Sequence, residues 1–563
     1  MEAAEPAALE SSHAHIVWAL LLTAVAVAFA AIGLGYERRR RFRARVIGQR
    51  NQQAVASTAK DIRGQVCGEM AEAKADMPNA SVMPRIPPLT SKGLQGFGPT
   101  EGVIVIIGSG IAGLSTAASL HKLGIPAVVL EREPAPREEG SAITFWPNAF
   151  RVLDTLGVAH HVRDTHSLVH RVEIVDWDGA LLRAFGLEEC EGAPHDARIV
   201  RRSALVGALR SAIPPRLVCY GVSVANVHAH EQGAEVELSD RTRLRCKAVV
   251  AADGTKSRVA AKLGLKPAAY AGEVYYRGVA TFPEGVPEPP GTLRMMWSAR
   301  GVRVGMSSIS RTQCFWFTTL TCPEAAWMET PEKRKADALE SVKGFGFHIQ
   351  DAIRNTPAEM VTRSRIVDRW LKPGKAFGQG CITVVGDAMH PMTPSLGQGG
   401  CIALEDGVKL AQAVQGAGGA AASPAVLAEA LRSFERERTA RSTPVTVKSR
   451  FMGALLQIRN PWFCVVRNWV VRNFYPVHSF LKPAAFDCGP LTASPGATSV
   501  ATPAPEDPTA VRTPRTEPRQ RGKKSAEGVQ EQISRDEASP MHRHGTPEDM
   551  RNWPSQASLS VIG

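Results

Sequence analysis

Residues Glu101 to Glu133 read EGVIVIIGSGIAGLSTAASLHKLGIPAVVLERE. An apolar run, Val103 to Ile107, leads into Gly108, Gly110 and Gly113 at GxGxxG spacing; an Ala/Leu-rich stretch follows, then a second apolar run, Ala127 to Leu130, closed by Glu131. That order predicts strand, tight turn, helix and parallel strand, the opening unit of a Rossmann-like sheet. Gly108 allows the sharp exit from the strand. Gly110 lets the backbone approach a pyrophosphate at the positive end of the helix, and Gly113 lets helix and strand pack closely. Glu131 lies 18 residues beyond Gly113, where a carboxylate accepts hydrogen bonds from a ribose diol. With 49 glycines in 563 residues the spacing alone decides little, so the strands, helix and terminal acid around it carry the α/β reading.

Upstream, Ile16 to Tyr36 (IVWALLLTAVAVAFAAIGLGY) has 21 residues without a formal charge, long enough to cross a bilayer as a helix. Glu2, Glu5 and Glu10 precede it, and Arg38, Arg39, Arg40, Arg41, Arg43 and Arg45 follow. This polarity argues against a cleaved signal peptide. It predicts a short segment 1–15, a single-pass transmembrane helix 16–36 and a catalytic domain on the cytosolic side, at the endoplasmic reticulum or alternatively a plastid membrane. An organelle-targeting segment is the other reading of the same run. Residues 37–100, with PRIPPLTSKG near their end, read as a basic and flexible tether. Because the net charge of +13 includes that arginine cluster, membrane topology accounts for it better than a nucleic-acid partner.

A hydrophobic content of 44% with 21% charged residues is that of a globular chain. Ten cysteines are scattered without a CxxC pair or a His/Cys cluster, which predicts buried or neutral thiols, a reduced compartment and no metal site. Downstream of the first unit the pattern predicts a helix over Asn148 to Leu156, strands within Val172 to Phe185, and a helix whose first turn carries Arg202. Leu217 to Leu238 and Leu244 to Ala251 read as β-rich, the latter ending in AADGTKSRVA. Asp253 and Gly254 thus stand at the carboxyl end of a buried strand, where open α/β sheets take ligands. Tyr270 to Thr321 alternates as a mostly antiparallel sheet does. Helices are expected over Glu332 to Val342 and His348 to Asn355.

A second decisive stretch is Cys381 to Val414, CITVVGDAMHPMTPSLGQGGCIALEDGVKLAQAV. A buried strand ends at Gly386 and Asp387, a proline-containing loop crosses over, and Gly397, Gly399 and Gly400 open a helix expected to begin near Cys401. Ala425 to Ile458 reads as helical. Residues 456–488 include Trp462, Phe463, Trp469 and Phe474 beside Arg467 and Arg472, and read equally as a membrane-interface helix or as core packing. Residues 489–563, rich in Pro, Ser, Thr and charge, read as a disordered tail.

In combination, GSGIAGL, AADGTKSR and VVGDAMHPMTPSLGQGGCIALED resemble the class A FAD-dependent monooxygenases of aromatic-ring hydroxylase type, and most closely the plant and algal members near zeaxanthin epoxidase and salicylate hydroxylase. The resemblance covers about Gly102 to Leu455. It implies an FAD-binding domain over 101–455, interleaved with a mostly antiparallel β-sheet substrate domain at about 270–370. On this likeness Gly108, Gly110, Gly113 and Glu131 hold the ADP part of FAD, and Arg202 contacts the flavin chain. Asp253 and Gly254 serve FAD and the nicotinamide nucleotide, Gly386 and Asp387 the ribityl or ribose region, and Pro391, Gly397, Gly399 and Gly400 line the flavin ring. The family's chemistry has NADPH or NADH reduce FAD, O2 add at flavin C4a, and the hydroperoxide hydroxylate or epoxidise an apolar or aromatic small molecule.

His390, beside the Gly386–Asp387 pair, reads as structural or loop-positioning rather than catalytic, so no catalytic side chain is assigned. Arg277 reads equally as a ligand contact or a solvated sheet-edge arginine; Phe145, Trp146, Trp297, Trp316 and Phe317 as pocket wall or, more simply, core. A second GxGxxG and a WxW are absent, which argues against two-domain Baeyer–Villiger and halogenase types. The tail departs from that of a zeaxanthin epoxidase. Two rivals are an FAD-dependent reductase or dehydrogenase of isoprenoid lipids and a non-catalytic flavoprotein interaction module.

Overall fold

The computed structural model describes residues 102–136, 141–192, 194–324 and 330–492. The expected transmembrane run 16–36, the segments flanking it and the tail from 493 onward lie outside the described residues. Among the described residues no helix is long and apolar enough to cross a membrane.

The opening stretch forms strand β1 (Ile104–Ile107), helix α1 (Ile111–Lys122) and strand β2 (Ala127–Glu131). They centre a five-stranded sheet completed by β7 (Val218–Tyr220), β11 (Ala248–Ala251) and β17 (Ile382–Val384) in the order β17-β11-β1-β2-β7, every pair parallel. Apolar residues without alternation are what a parallel sheet covered on both faces requires, and all of Ile104 to Ile107 is buried. Helix α6 (Gly399–Gly416) lies along α1, so close that a Cβ on Gly407 would sit 2.5 Å from Ser115 Oγ and 2.6 Å from its carbonyl carbon. The Ser115 hydroxyl donates to the Leu404 carbonyl at 2.9 Å across this contact. The helix expected to begin near Cys401 therefore starts two residues earlier, on the glycine pair itself.

A second sheet has seven strands: β4 (Arg171–Asp176), β5 (Leu181–Gly186), β12 (Ala269–Thr281), β13 (Thr292–Trp297), β14 (Val302–Ser308), β15 (Gln313–Thr321) and β16 (Thr362–Asp368). Their order is β16-β12-β15-β14-β13-β4-β5, antiparallel except between β13 and β4. The substrate sheet expected over about 270–370 is thus extended by two strands contributed some ninety residues earlier in the chain. Side-chain alternation divides the aromatic run of β15 between two cores. Trp316 points to a cluster with Ile349 and Ile353, its indole donating to Thr356 Oγ1 at 2.8 Å, whereas Phe315 and Phe317 join the opposite cluster. Helices α4 (Pro331–Ser341) and α5 (Ile349–Arg354) cover the Trp316 side.

The remaining strands form the pair β3 (Ala142–Phe145) with β6 (Arg198–Arg201), and a three-stranded antiparallel sheet of β8 (Val224–His230), β9 (Gly233–Leu238) and β10 (Arg243–Cys246). Helices α2 (Pro147–Leu156) and α3 (Arg202–Ser211) flank α1, and the long α7 (Pro424–Leu456) and shorter α8 (Pro461–Phe474) close the chain. The packed body runs slightly past the expected start of the tail: Leu491 is buried, and the Gln412 amide donates to the Cys488 and Pro490 carbonyls.

Candidate functional site

The carboxyl ends of β1, β2 and β11, the residues just past β17 and the amino terminus of α6 converge on one cavity of about 730 Å³, within the range of small-molecule and cofactor sites. Gly108 and Gly110 border it at the first turn and Glu131 at the end of β2; Asp253 and Gly254 follow β11, and Asp387 follows β17. Arg202, the first residue of α3, and Gly399 and Gly400, the first of α6, complete the convergence. Gly113, Gly386, Pro391 and Gly397 do not line it.

Those four build the frame instead. A Cβ on Gly113 would lie 1.9 Å from the Gly108 carbonyl oxygen, and one on Gly386 2.6 Å from Ala112 Cβ. Gly397 has φ +61° and passes so close to Trp146 that a Cβ would come within 2.7 Å of the indole nitrogen. The Pro391 carbonyl accepts the Arg369 backbone N–H at 3.0 Å. Phe145, Trp146, Trp297, Trp316 and Phe317 are also absent from the lining and belong to, or pack against, the hydrophobic clusters, so for this cavity the core reading holds.

Gly110 is a different kind of glycine. Its φ of −74° suits any residue, and no protein atom lies within 4 Å of where its Cβ would be. The space belongs to the cavity. A Gly110→Val chain is therefore expected to fold with nearly unchanged thermal stability while its affinity for FAD falls at least about tenfold, about 1.4 kcal/mol. Flavin absorbance after gel filtration, set beside a melting curve of the FAD-free chain, reads both.

Glu131 is already oriented: its carboxylate accepts Ser109 N–H at 2.7 Å, Ser109 Oγ–H at 2.9 Å and Glu133 N–H at 3.0 Å. One Asp253 oxygen accepts Arg258 N–H at 3.1 Å, and the other is shielded from solvent without a partner. Six basic side chains (Arg132, Arg202, Lys256, Arg258, Lys262 and Arg277) outnumber the four acidic ones (Glu131, Glu133, Asp253 and Asp387) in the lining, a balance that favours an anionic ligand. The amino termini of α1 and α6, neither with an acidic residue in its first turn, add partial positive charge at the same cavity.

Arg277 lines the cavity from β12, which lies between β16 and β15, so the sheet-edge reading does not hold. The register sets Arg277, Phe317 and Gly305 in one row across the sheet and Tyr275, Thr319 and Arg303 in the next. Phe317 lies over Gly305, where a Cβ would come within van der Waals overlap of the ring, and Arg277 lies 5.3 Å from the Tyr275 ring centroid. On this face Glu273 Oε2 and Arg303 Nη1 are buried without partners.

Asp387 is open to the cavity yet surrounded by protein mass. That loss of bulk water raises its carboxyl above the ordinary range, against the pull of His390, Arg202 and Arg277. Because the folded-state pKa is raised, the ionised carboxylate costs stability, and the cost appears as pH rises through that pKa. Asp387→Asn is accordingly expected to raise the melting temperature of the FAD-free chain at neutral pH, with the gain fading in acid, and to weaken FAD retention by removing an acceptor. A lower melting temperature at neutral pH would contradict this.

His390 is 1% exposed, outside the lining, and its Nε2 is 2.6 Å from Asp406 Oδ2. Asp406 is the residue the sequence reading left without a task. The same oxygen accepts Gly386 N–H at 2.7 Å, and Arg438 of α7 donates to the other at 2.7 Å. Burial alone would push this carboxyl up, but His390, Arg438 and the Gly386 amide hold it down at about 2. Neighbouring Glu405 accepts from Arg438, Arg441 and Asn148. Arg369 ties the same loop from the other side, donating to the Lys266, Ala388 and Met389 carbonyls at 2.6, 2.5 and 3.3 Å. One buried carboxylate thus links the loop bearing Asp387 to the helix bearing Gly399 and Gly400. The residues fit a flavin dinucleotide: glycine backbone open to the ligand, two helix amino termini, and carboxylates set at the strand ends.

A sequence profile described as FAD binding domain matches residues 101–449. Among similar proteins, Monooxygenase 2 of Arabidopsis thaliana is 31% identical over 403 residues, covering 69% of this chain and 98% of that protein. The aurachin C monooxygenase/isomerase of Stigmatella aurantiaca is 31% identical over 373 residues, covering 66% and 93%. In fold the chain is similar to Klebsiella pneumoniae HpxO, solved with FAD and uric acid, at a TM-score of 0.61 and 24% identity over 69% of this chain and 98% of that one.

Proposed function

The chain belongs to the FAD binding domain family and is a class A FAD-dependent monooxygenase, and from that premise we propose that it uses NADPH or NADH and O2 to hydroxylate or epoxidise an apolar or aromatic small molecule. The observation that carries the reading is the convergence of three distant motif ends on one cavity, which Arg277 of the second sheet also lines. When bound, FAD supplies the redox chemistry, taking electrons from the nicotinamide nucleotide and activating O2.

The chain's own residues do the rest. Gly110, at the start of α1, would offer its backbone N–H to a pyrophosphate, while the Ser109 N–H orients Glu131 for a ribose. Arg202 and Asp387, both in the cavity lining, would hold the chain joining the two halves of the cofactor. The α6 amino terminus, with Gly399 and Gly400 in the cavity lining, would favour negative charge on a bound cofactor. Tyr275, on the same face of β12 as Arg277, would supply an apolar surface for the substrate, and the partnerless atoms of Glu273 and Arg303 suit a polar group on it. A relative from Streptomyces cremeus, 29% identical over 356 residues, is named 3-amino-4-hydroxybenzoate 2-monooxygenase, which supports an aromatic ligand. A single-pass anchor over 16–36, with the catalytic domain on the cytosolic side, is our proposal for location and rests on the apolar run and its arginines.

The test uses the purified full chain loaded with FAD. NADPH and NADH oxidation is followed in air across phenolic, carotenoid and sterol-like compounds, with 18O2 to label the product. Oxidation accelerated by one compound, with label incorporated into it, is the expected result. Stimulated oxidation that yields only hydrogen peroxide or a reduced product would overturn it.

A further inference from the structure

Helix α8 turns its apolar side outward. Trp462, Val465, Val466, Trp469 and Val470 occupy positions i, i+3, i+4, i+7 and i+8, a stripe that ordinarily faces a core. Here Trp462 is 83% exposed, Val465 65%, Val466 52% and Trp469 58%. Phe474, also exposed, prolongs the stripe through an edge-to-face contact with Trp469 at 5.3 Å.

The orientation is held by polar contacts on the opposite side. Arg467, buried, donates to the Leu456 carbonyl at 3.1 Å and lies 5.6 Å from the Trp297 ring. Asn468 donates to Asp176 Oδ2 at 2.6 Å, and Asn460 caps the first turn by accepting Phe463 N–H. The body of the protein thus grips the side carrying Cys464, Arg467 and Val471 and leaves the Trp462 stripe bare, and a contiguous apolar surface of this kind marks an interaction site.

We propose that this face of α8 lies in the interfacial layer of a bilayer bearing anionic headgroups. Charge selects that occupant. From Arg438 to Phe486 the chain contains no Asp or Glu, and Arg459, Arg472 and Lys482 in this stretch are exposed. Tryptophan and phenylalanine among arginines is the composition of a helix lying in the membrane plane, and basic residues near an anionic surface strengthen its attachment. A two-fold contact with a second copy would set Arg472 and its basic neighbours against themselves. The apolar run Ile16 to Tyr36 offers a second membrane contact in the same chain, and interfacial attachment gains from a second signal.

The test compares the full chain, reconstituted in phosphatidylcholine–phosphatidylserine vesicles, with two variants. In one, Trp462→Ser is combined with Trp469→Ser; in the other, Val465→Glu is combined with Val466→Glu and both tryptophans are kept. Lipids brominated on their acyl chains quench tryptophan emission from within the bilayer. The unaltered chain is expected to show strong quenching that falls in both variants to one common lower level, with circular dichroism unchanged. Equal quenching in all three proteins would overturn the proposal. So would a chain that is dimeric in detergent and made monomeric by the glutamates without any change in quenching, which would assign the face to a second copy.

Discussion

Replacing Gly113 by alanine is expected to destabilise the FAD-free chain by about 3 kcal/mol or more and to abolish FAD retention with it, the upper end of what overpacking a core costs. The added methyl would lie 1.9 Å from the Gly108 carbonyl oxygen, 3.1 Å from its carbon and 3.3 Å from Ala252 Cβ. Two of those atoms are backbone, so no rotamer change relieves the clash. Helix α1 must withdraw from the turn after β1, and α6, seated on α1 through Gly407, must follow. The measurement is thermal unfolding of the FAD-free chain beside flavin absorbance. A Gly113→Ala protein that melts like the unaltered chain and still binds flavin would refute the assignment. The contrast with Gly110→Val is the sharper test, because one glycine of the motif answers to the fold and the other to the ligand.

Arg438→Met is the second large effect, with an expected cost of about 3–5 kcal/mol, that of removing one partner from a buried ion pair. Arg438 is fully buried between Asp406 at 2.7 Å and Glu405 at 2.7 Å. Glu405 retains Arg441 and Asn148, so most of the loss falls on Asp406, left with His390 and the Gly386 amide. The pH dependence follows from the direction of the shift. Asp406 sits at about 2 in the folded chain, below the ordinary 3.8, so its contribution to stability is complete above about pH 4 and is lost as pH falls toward 2. Without Arg438 the folded-state value rises toward the ordinary one, so this stabilising contribution shrinks and the chain enters acid with less stability to lose. Acid unfolding of Arg438→Met, followed by circular dichroism, is expected to have its midpoint displaced toward neutrality; an unchanged midpoint would show that Arg438 does not hold the carboxylate. FAD affinity is expected to fall as well, since Asp406 joins the Asp387 loop to the α6 amino terminus.

Some of this was open to reading from the chain alone because its causes are local. A strand buried on both faces, a turn demanding glycine and a helix rich in alanine are written within thirty residues, so β1, α1 and β2 stand where expected, as does Glu131 at the end of β2. The strand ends at Asp253 and Asp387 were legible for the same reason: an apolar run stops and a short polar dipeptide follows.

Other features depend on partners far apart in sequence. Nothing in Arg171 to Gly186 announces that β4 pairs in parallel with β13, because strand pairing satisfies backbone groups that every sequence carries. Asp406 and Glu405 look like ordinary helix acids until Arg438, about thirty residues on, closes over them in the buried interior. His390 draws attention by its place next to the Gly386–Asp387 pair, yet its ring is turned to Asp406.

What the sequence determined by itself, then, was the α/β dinucleotide-binding framework and the short motifs whose ends meet at the cavity, since each is specified by residue types in contact along the chain. Which of those glycines serve the ligand and which the packing, which face of β12 bears Arg277 toward the site, and that α8 presents its apolar stripe outward were decided only in the tertiary structure. Those properties belong to distances between segments, and a side chain's surroundings, rather than its neighbours in sequence, set its burial, charge and freedom.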